Sequence, residues 1–276
     1  MNEPVKKIPK QIRKWGCYKL ECFSDYIEAY SRALGNKCYY LELYAGCGNC
    51  ICSGTDCVIE DSALRALGTK TKFARYIFIV SDSYDANSLK QLTASYDTVN
   101  IITGNPVSDK VLQQVFDLIP RSASGFAFID PPGYSKLRWS TIKKLAAHGR
   151  DWKDHKIELL IIFPLEMALL RNLMRPECQL SITRLYGNQK WQEIKQERLE
   201  GKITPDETRH KLVELYKEGL KALGYRHIAD FKPGYKLSPY HIISASDSDN
   251  RTKLLEAAWG KPRYLPCQLL YTRNRP

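Results

Sequence analysis

From Lys19 the apolar residues Leu20, Phe23, Ile27, Tyr30 and Leu34 recur three and four apart, the spacing that gives a helix one apolar face. Gly35-Asn36 then supplies a C-terminal stop. Beyond it the pattern changes. The segments "CYYLEL" (38–43), "YIFIV" (76–80), "VNIIT" (99–103), "GFAFI" (125–129) and "ELLIIF" (158–163) are nearly continuous apolar runs. A half-exposed strand alternates polar with apolar residues. Unbroken runs instead predict strands buried on both faces, as in a parallel sheet between two layers of helices. Helical patterns near 58–68, 84–95, 107–118 and 139–149 fill the gaps.

After Phe163 the chain changes character. "PLEMALLRNLM" predicts another helix, and residues 188–224 a charged two-helix segment broken at Gly201 and Pro205. "YRHIADF", the turn "KPGYKLS" and "PYHIISAS" predict a hairpin. A helix over "NRTKLLEAAW" and a strand-like tail "RYLPCQLLY" follow. The expected partition is a basic arm and helix (1–36), a Rossmann-like core (37–187), a charged helical insertion (188–224) and a C-terminal hairpin, helix and tail (225–276). Five β-α units followed by a hairpin resemble the order of a class I methyltransferase sheet, α/β and mostly parallel, with an antiparallel last strand.

Composition narrows the class. The 276 residues can bury a sizeable core, and 43% hydrophobic with 26% charged residues is ordinary for a globular protein. No apolar run approaches the roughly 20 residues that span a bilayer, and no apolar segment follows the basic N-terminus as a secretory signal would require. Nine unevenly spaced cysteines fit reduced thiols in a cytoplasm better than a disulfide scaffold. The net charge of +12 points to a polyanionic partner, nucleic acid above all, with a solvated basic surface as the plainer alternative. Residues 1–14 and 188–224 are the segments to carry such a contact.

Two stretches carry candidate chemistry. In "LELYAGCG" a strand ends in a glycine turn, where Gly46 and Gly48 let the backbone approach a ligand. Glu42 is a candidate acceptor for the amino end of a bound methionine moiety. Asp82, at the end of the next strand, is a candidate for a ribose diol, or else a helix N-cap. Cys47, Cys50, Cys52 and Cys57 are compressed into C-x2-C-x-C-x4-C with no histidine close by. Structural zinc favours spaced CxxC pairs, so small residues around a tight turn are expected and no metal.

The second stretch, "GFAFIDPPGYSKLRW", ends an apolar strand in Asp130 and stiffens the chain with Pro131 and Pro132. A carboxylate and the Pro131 carbonyl beside a ligand crevice suit methyl transfer to an exocyclic amine. Each accepts an N–H of the amine, drawing nitrogen toward tetrahedral geometry, and orientation supplies much of the rate. Tyr134 is the candidate aromatic, one place later than the usual stacking position, and the alternative for the whole turn is a strand terminator with a capping aspartate.

Together "ELYAGCG", "DSALRAL", "FIDPPGYSKLRWSTIKKLA", "LLIIFPLEMALLR", "LYGNQKW", "YKEGLKALGY" and "YHIISASDSD" resemble the three-Cys-motif partner (TcmP) family over about Trp15 to Trp259. The resemblance carries Glu42, Tyr44, Gly46 and Gly48 to the first turn, Ser62 and Leu64 to a second element, and Asp130, Pro131 and Gly133 to the third. Cys47, Asp61 and Pro132 stand where proline, glycine and tyrosine are usual. Phe163-Pro164 and Gly187…Trp191 match later elements. It implies a Rossmann-type methyltransferase with S-adenosylmethionine as cofactor. It also implies a neighbouring radical-SAM protein as partner, whose cysteines, not those of residues 47–57, give the family its name. A non-catalytic partner on a degenerate methyltransferase fold is the competing expectation. A nuclease ranks last, for want of a compact carboxylate cluster.

Overall fold

A computed structural model describes residues 9–54, 57–149, 156–233 and 240–260. A short strand, β1 (Lys10–Ile12), leads into α1 (Lys14–Leu34). There follow β2 (Cys38–Glu42), β3 (Asn49–Cys52), β4 (Val58–Glu60) and α2 (Ser62–Leu67). Strand and helix then alternate through β5 (Arg75–Val80), α3 (Ser83–Leu92), β6 (Val99–Thr103), α4 (Asp109–Leu118), β7 (Ser124–Ile129) and α5 (Trp139–Ala147). After β8 (Glu158–Phe163) come the short α6 (Leu170–Asn172), α7 (Gln179–Tyr186), α8 (Trp191–Leu199) and α9 (Pro205–Ala222). β9 (His227–Phe231), β10 (His241–Ser246) and α10 (Asn250–Trp259) complete the described chain.

Seven strands form one sheet in the order β6-β5-β2-β7-β8-β10-β9. β2 pairs in parallel with both β5 and β7, while β10 runs antiparallel to its neighbours β8 and β9. The chain therefore starts mid-sheet, builds outward to β6, and returns to the other side of β2 at β7. That reversal of order sets the carboxyl tips of β2 and β7 side by side, the place where open α/β sheets bind their ligands. The apolar runs are buried on both faces as expected. Tyr40, Phe78, Phe126 and Leu160 pack under α1, α2, α3 and α10, and Leu41, Ile77, Ala127 and Ile161 under the layer of α4, α5 and α7–α9. Aromatic rings tie α1 to the sheet, with Phe23 stacked on Phe128 at 4.3 Å and Tyr30 tilted against Phe126 at 4.5 Å.

Several expectations change in detail. Residues 58–68 are a strand and then a helix, because the Asp61 carboxylate accepts from the Ala63 N–H and starts α2 only there. The loop behind the glycine turn is the hairpin β3-β4, which pairs with β1 from the basic arm in a small second sheet. Among the described cysteines, Cys17 and Cys52 depart from the expected reduced thiols by forming a disulfide, and the rest form none. Sequence spacing concealed the pair because 35 positions separate two residues whose Cα atoms lie 6.2 Å apart in the fold. "PLEMALLRNLM" opens as a wide turn over Leu165–Leu169 before the short α6. The charged segment breaks as expected, with Gly201 at φ +70° and a Thr204–Glu207 capping box opening α9. Its helices nonetheless bury Trp191, Leu212, Tyr216 and Leu220 against the sheet. Much of the turn "KPGYKLS" and the tail "RYLPCQLLY" lie outside the described residues, as do residues 1–8 of the arm.

Candidate functional site

Glu42 ends β2 opposite Phe128 of β7, and the next amide, Leu43 N–H, donates to the Phe128 carbonyl at 3.1 Å. On β2 the even positions face α1, so Glu42 turns into that layer beside Tyr40, only 1% exposed. The Tyr40 hydroxyl donates to Oε2 at 2.9 Å and the Ser62 hydroxyl to Oε1 at 2.5 Å. Burial, then the negative charges of Asp61 and Asp130, push its pKa up to about 8. Burial and the neighbouring negative charges thus favour the neutral acid at Glu42, opposed by the two hydroxyls that donate to it.

The glycine turn folds over a second, half-buried acid, Asp61. Gly48 N–H donates to Asp61 Oδ2 at 2.8 Å, and Asp61 N–H returns a bond to the Gly48 carbonyl at 2.9 Å, closing the base of the β3-β4 hairpin. A Cβ on Gly46 would lie 2.8 Å from Asp61 Oδ2. Gly48 adopts φ +97°, and a Cβ there would come within 2.6 Å of Leu92 on α3. Both positions need glycine, but what approaches the backbone is the protein's own carboxylate and side chain. Burial raises the Asp61 pKa, opposed chiefly by the Gly48 amide. Asp61 is a member of this cluster that the sequence marked only as a replacement for glycine.

Asp130 follows β7 on the same face. Its Oδ2 accepts from the Lys19 ammonium of α1 in an ion pair whose side chains are 24% and 11% exposed. Lys19 also lies over the Trp15 ring, 5.6 Å from its centroid, and Trp15 packs at 5.6 Å against Tyr240 at the foot of β10. Lys19 escaped the sequence reading, although a lysine flanked by buried positions of an apolar helix face was the available signal.

Pro131 is buried and Pro132 exposed. At Gly133 the direction a side chain would take meets nothing within 4 Å, so open space borders the turn. Tyr134 points elsewhere: it is 7% exposed within the apolar cluster beneath the α7 side of the sheet, its hydroxyl beside Cys178 and Ser181. It presents no stacking ring to the strand tips. Tyr44 bridges the two tips, its hydroxyl donating to the Lys136 carbonyl at 2.5 Å. Asp82 is exposed at the end of β5 and caps α3, its Oδ1 accepting from the Tyr84 and Asp85 amides at 3.0 Å each. Of the cysteine run, Cys50 and Cys52 are buried on β3, and Cys52 is committed to Cys17.

The structure thus gathers Glu42, Asp61 and Asp130 at the adjoining strand tips, with the glycine turn beside them and Asp82 one strand away. Asp82 keeps an exposed carboxylate beyond the end of β5, and the open space beside Gly133 adjoins Asp130.

The sheet order, its reversed β10 and the helical layers define a Rossmann-like methyltransferase fold. Among solved structures, the chain is similar to protein LPL1258 from Legionella pneumophila, of family model DUF519. The TM-score is 0.52 at 10% identity, covering 89% of this chain and 92% of that one. It is also similar to the methyltransferase domain of METTL16, with TM-score 0.44, 10% identity, and coverage of 82% and 67%. No family model matches the chain, and no curated protein does. No helix among the described residues is long and apolar enough to cross a membrane.

Proposed function

We propose that this protein is an S-adenosylmethionine-dependent methyltransferase that methylates an amine, carried on a nucleic acid or a nucleotide-like molecule. The observation that carries the reading is the side-by-side placement of the β2 and β7 tips, with Asp130 and Glu42 close enough for the charge of one to raise the pKa of the other. The cofactor supplies an electrophilic methyl group when bound. Asp82 would hold its ribose diol, beyond the glycine turn that Asp61 closes. Asp130 and the Pro131 carbonyl would orient the acceptor nitrogen and take its N–H bonds. Glu42 in its neutral form keeps a second negative charge away from Asp130 and leaves that carboxylate as the local proton acceptor. The net charge of +12 supports a polyanionic acceptor. Resemblance to the three-Cys-motif partner family adds a radical-SAM protein as a further partner.

Calorimetry or thermal shift with S-adenosylmethionine and its demethylated product tests the reading. Binding should raise the melting temperature by mass action, and Asp130→Ala should abolish transfer from labelled cofactor without unfolding the protein. Absence of any binding by either ligand sinks the proposal.

A further inference from the structure

The cation paired with Asp130 in the carboxylate cluster is the chain's own. Lys19 reaches from α1 to the Asp130 carboxylate, the group to which the methyltransferase reading gives the acceptor nitrogen. Three features make the contact resemble an amine in its binding place. The ammonium is nearly enclosed, with the side chain 11% exposed. It lies against the face of Trp15, itself braced by Tyr240. And the turn offers a flat base no partner, since position 133 is glycine and Tyr134 is buried in the core. A carboxylate with an aromatic face is chemistry that recognises an ammonium on an aliphatic stem.

We propose that Lys19 is a methylation site of the protein itself, modified in the same molecule at the Asp130 turn. The proposal rests on the methyltransferase reading and goes beyond it. Lys19 Nζ gives up a proton to the Asp130 carboxylate, which passes it to solvent. The freed nitrogen lone pair forms the N–C bond, the methyl–sulfur bond breaks with its electron pair left on sulfur, and S-adenosylhomocysteine departs. Methylated Lys19 keeps its positive charge but has lost a hydrogen-bond donor, so its hold on Asp130 loosens and the site opens to an external amine.

The test needs no external substrate. The full-length protein is incubated with S-adenosylmethionine bearing a deuterated methyl group, then weighed intact and mapped by peptide fragmentation. The expected result is a gain of one labelled methyl on Lys19 at a rate independent of protein concentration. The gain should be lost in Lys19→Arg and Asp130→Asn and kept in Lys14→Arg, which alters an exposed lysine of the same helix. Circular dichroism establishes that the variants fold. Calorimetry on the same preparations separates the two levels of the argument. Cofactor binding with no label on Lys19 overturns self-methylation alone, and absent binding removes the methyltransferase reading with it. Label spread over several lysines, or a rate that rises with protein concentration, also overturns the proposal.

Discussion

At the residue scale the acids Glu42 and Asp61 give the sharpest expectations. Glu42 has its pKa raised from 4.5 to about 8, so between those values the folded chain holds a proton that the unfolded chain releases. Stability from this group is complete below pH 4.5 and is lost as pH rises toward 8, by up to about 1.4 kcal/mol per pH unit. Glu42→Gln keeps the shape of the neutral acid and cannot ionise. Its melting temperature should therefore fall less than that of the wild type between pH 5 and pH 8, with the difference closing near pH 4. Parallel melting curves would show that Glu42 titrates normally. Asp61 differs, since it accepts from two amides and caps α2. Asp61→Ala strands the Gly48 amide and should cost about 2 kcal/mol or more in denaturant unfolding, whereas Asp61→Asn retains an acceptor and should recover part of it.

At the element scale the position of α1 governs the site, because that helix brings Lys19 and Trp15 over the strand tips. The Cys17–Cys52 disulfide ties its first turn to β3 and closes a loop of 35 residues' separation. Chain entropy assigns such a link about 3 to 4 kcal/mol. Reduction, or Cys17→Ser with Cys52→Ser, should lower the melting temperature by several degrees, and an unchanged melting curve would exclude the link. The far layer has its own tight junction. Gly187 ends α7 at φ +70°, where a Cβ would sit 2.1 Å from the Trp139 ring on α5. Gly187→Ala should destabilise by roughly 2 kcal/mol or more, through backbone strain and displacement of that ring.

At the scale of the whole molecule, net charge sets association before any chemistry occurs. With +12 overall, affinity for unfractionated RNA should fall linearly in log–log terms as salt rises, the slope counting the phosphates neutralised. A flat salt dependence in filter binding would remove nucleic acid as the polyanion. The charged α8 and α9 contribute less free surface to such contacts than their composition implies, because Trp191, Leu212, Tyr216 and Leu220 anchor them to the sheet.

The sequence by itself determined the strands of the sheet, most of its helices and the turn at Asp130. Continuous apolar runs, caps and prolines act over a few residues, and their physics is local. The N-cap at Asp61 was equally local, yet an expected longer helix hid it. What only the tertiary structure decided depends on residues distant in sequence. The Lys19–Asp130 pair spans 111 positions, and the Cys17–Cys52 link and the pressing of Asp61 against Gly46 and Gly48 join elements that no periodicity connects. The burial that favours the neutral form of Glu42 and turns Tyr134 into the core likewise comes from neighbouring elements, since a side chain's solvent and charged neighbours are properties of the assembled layers.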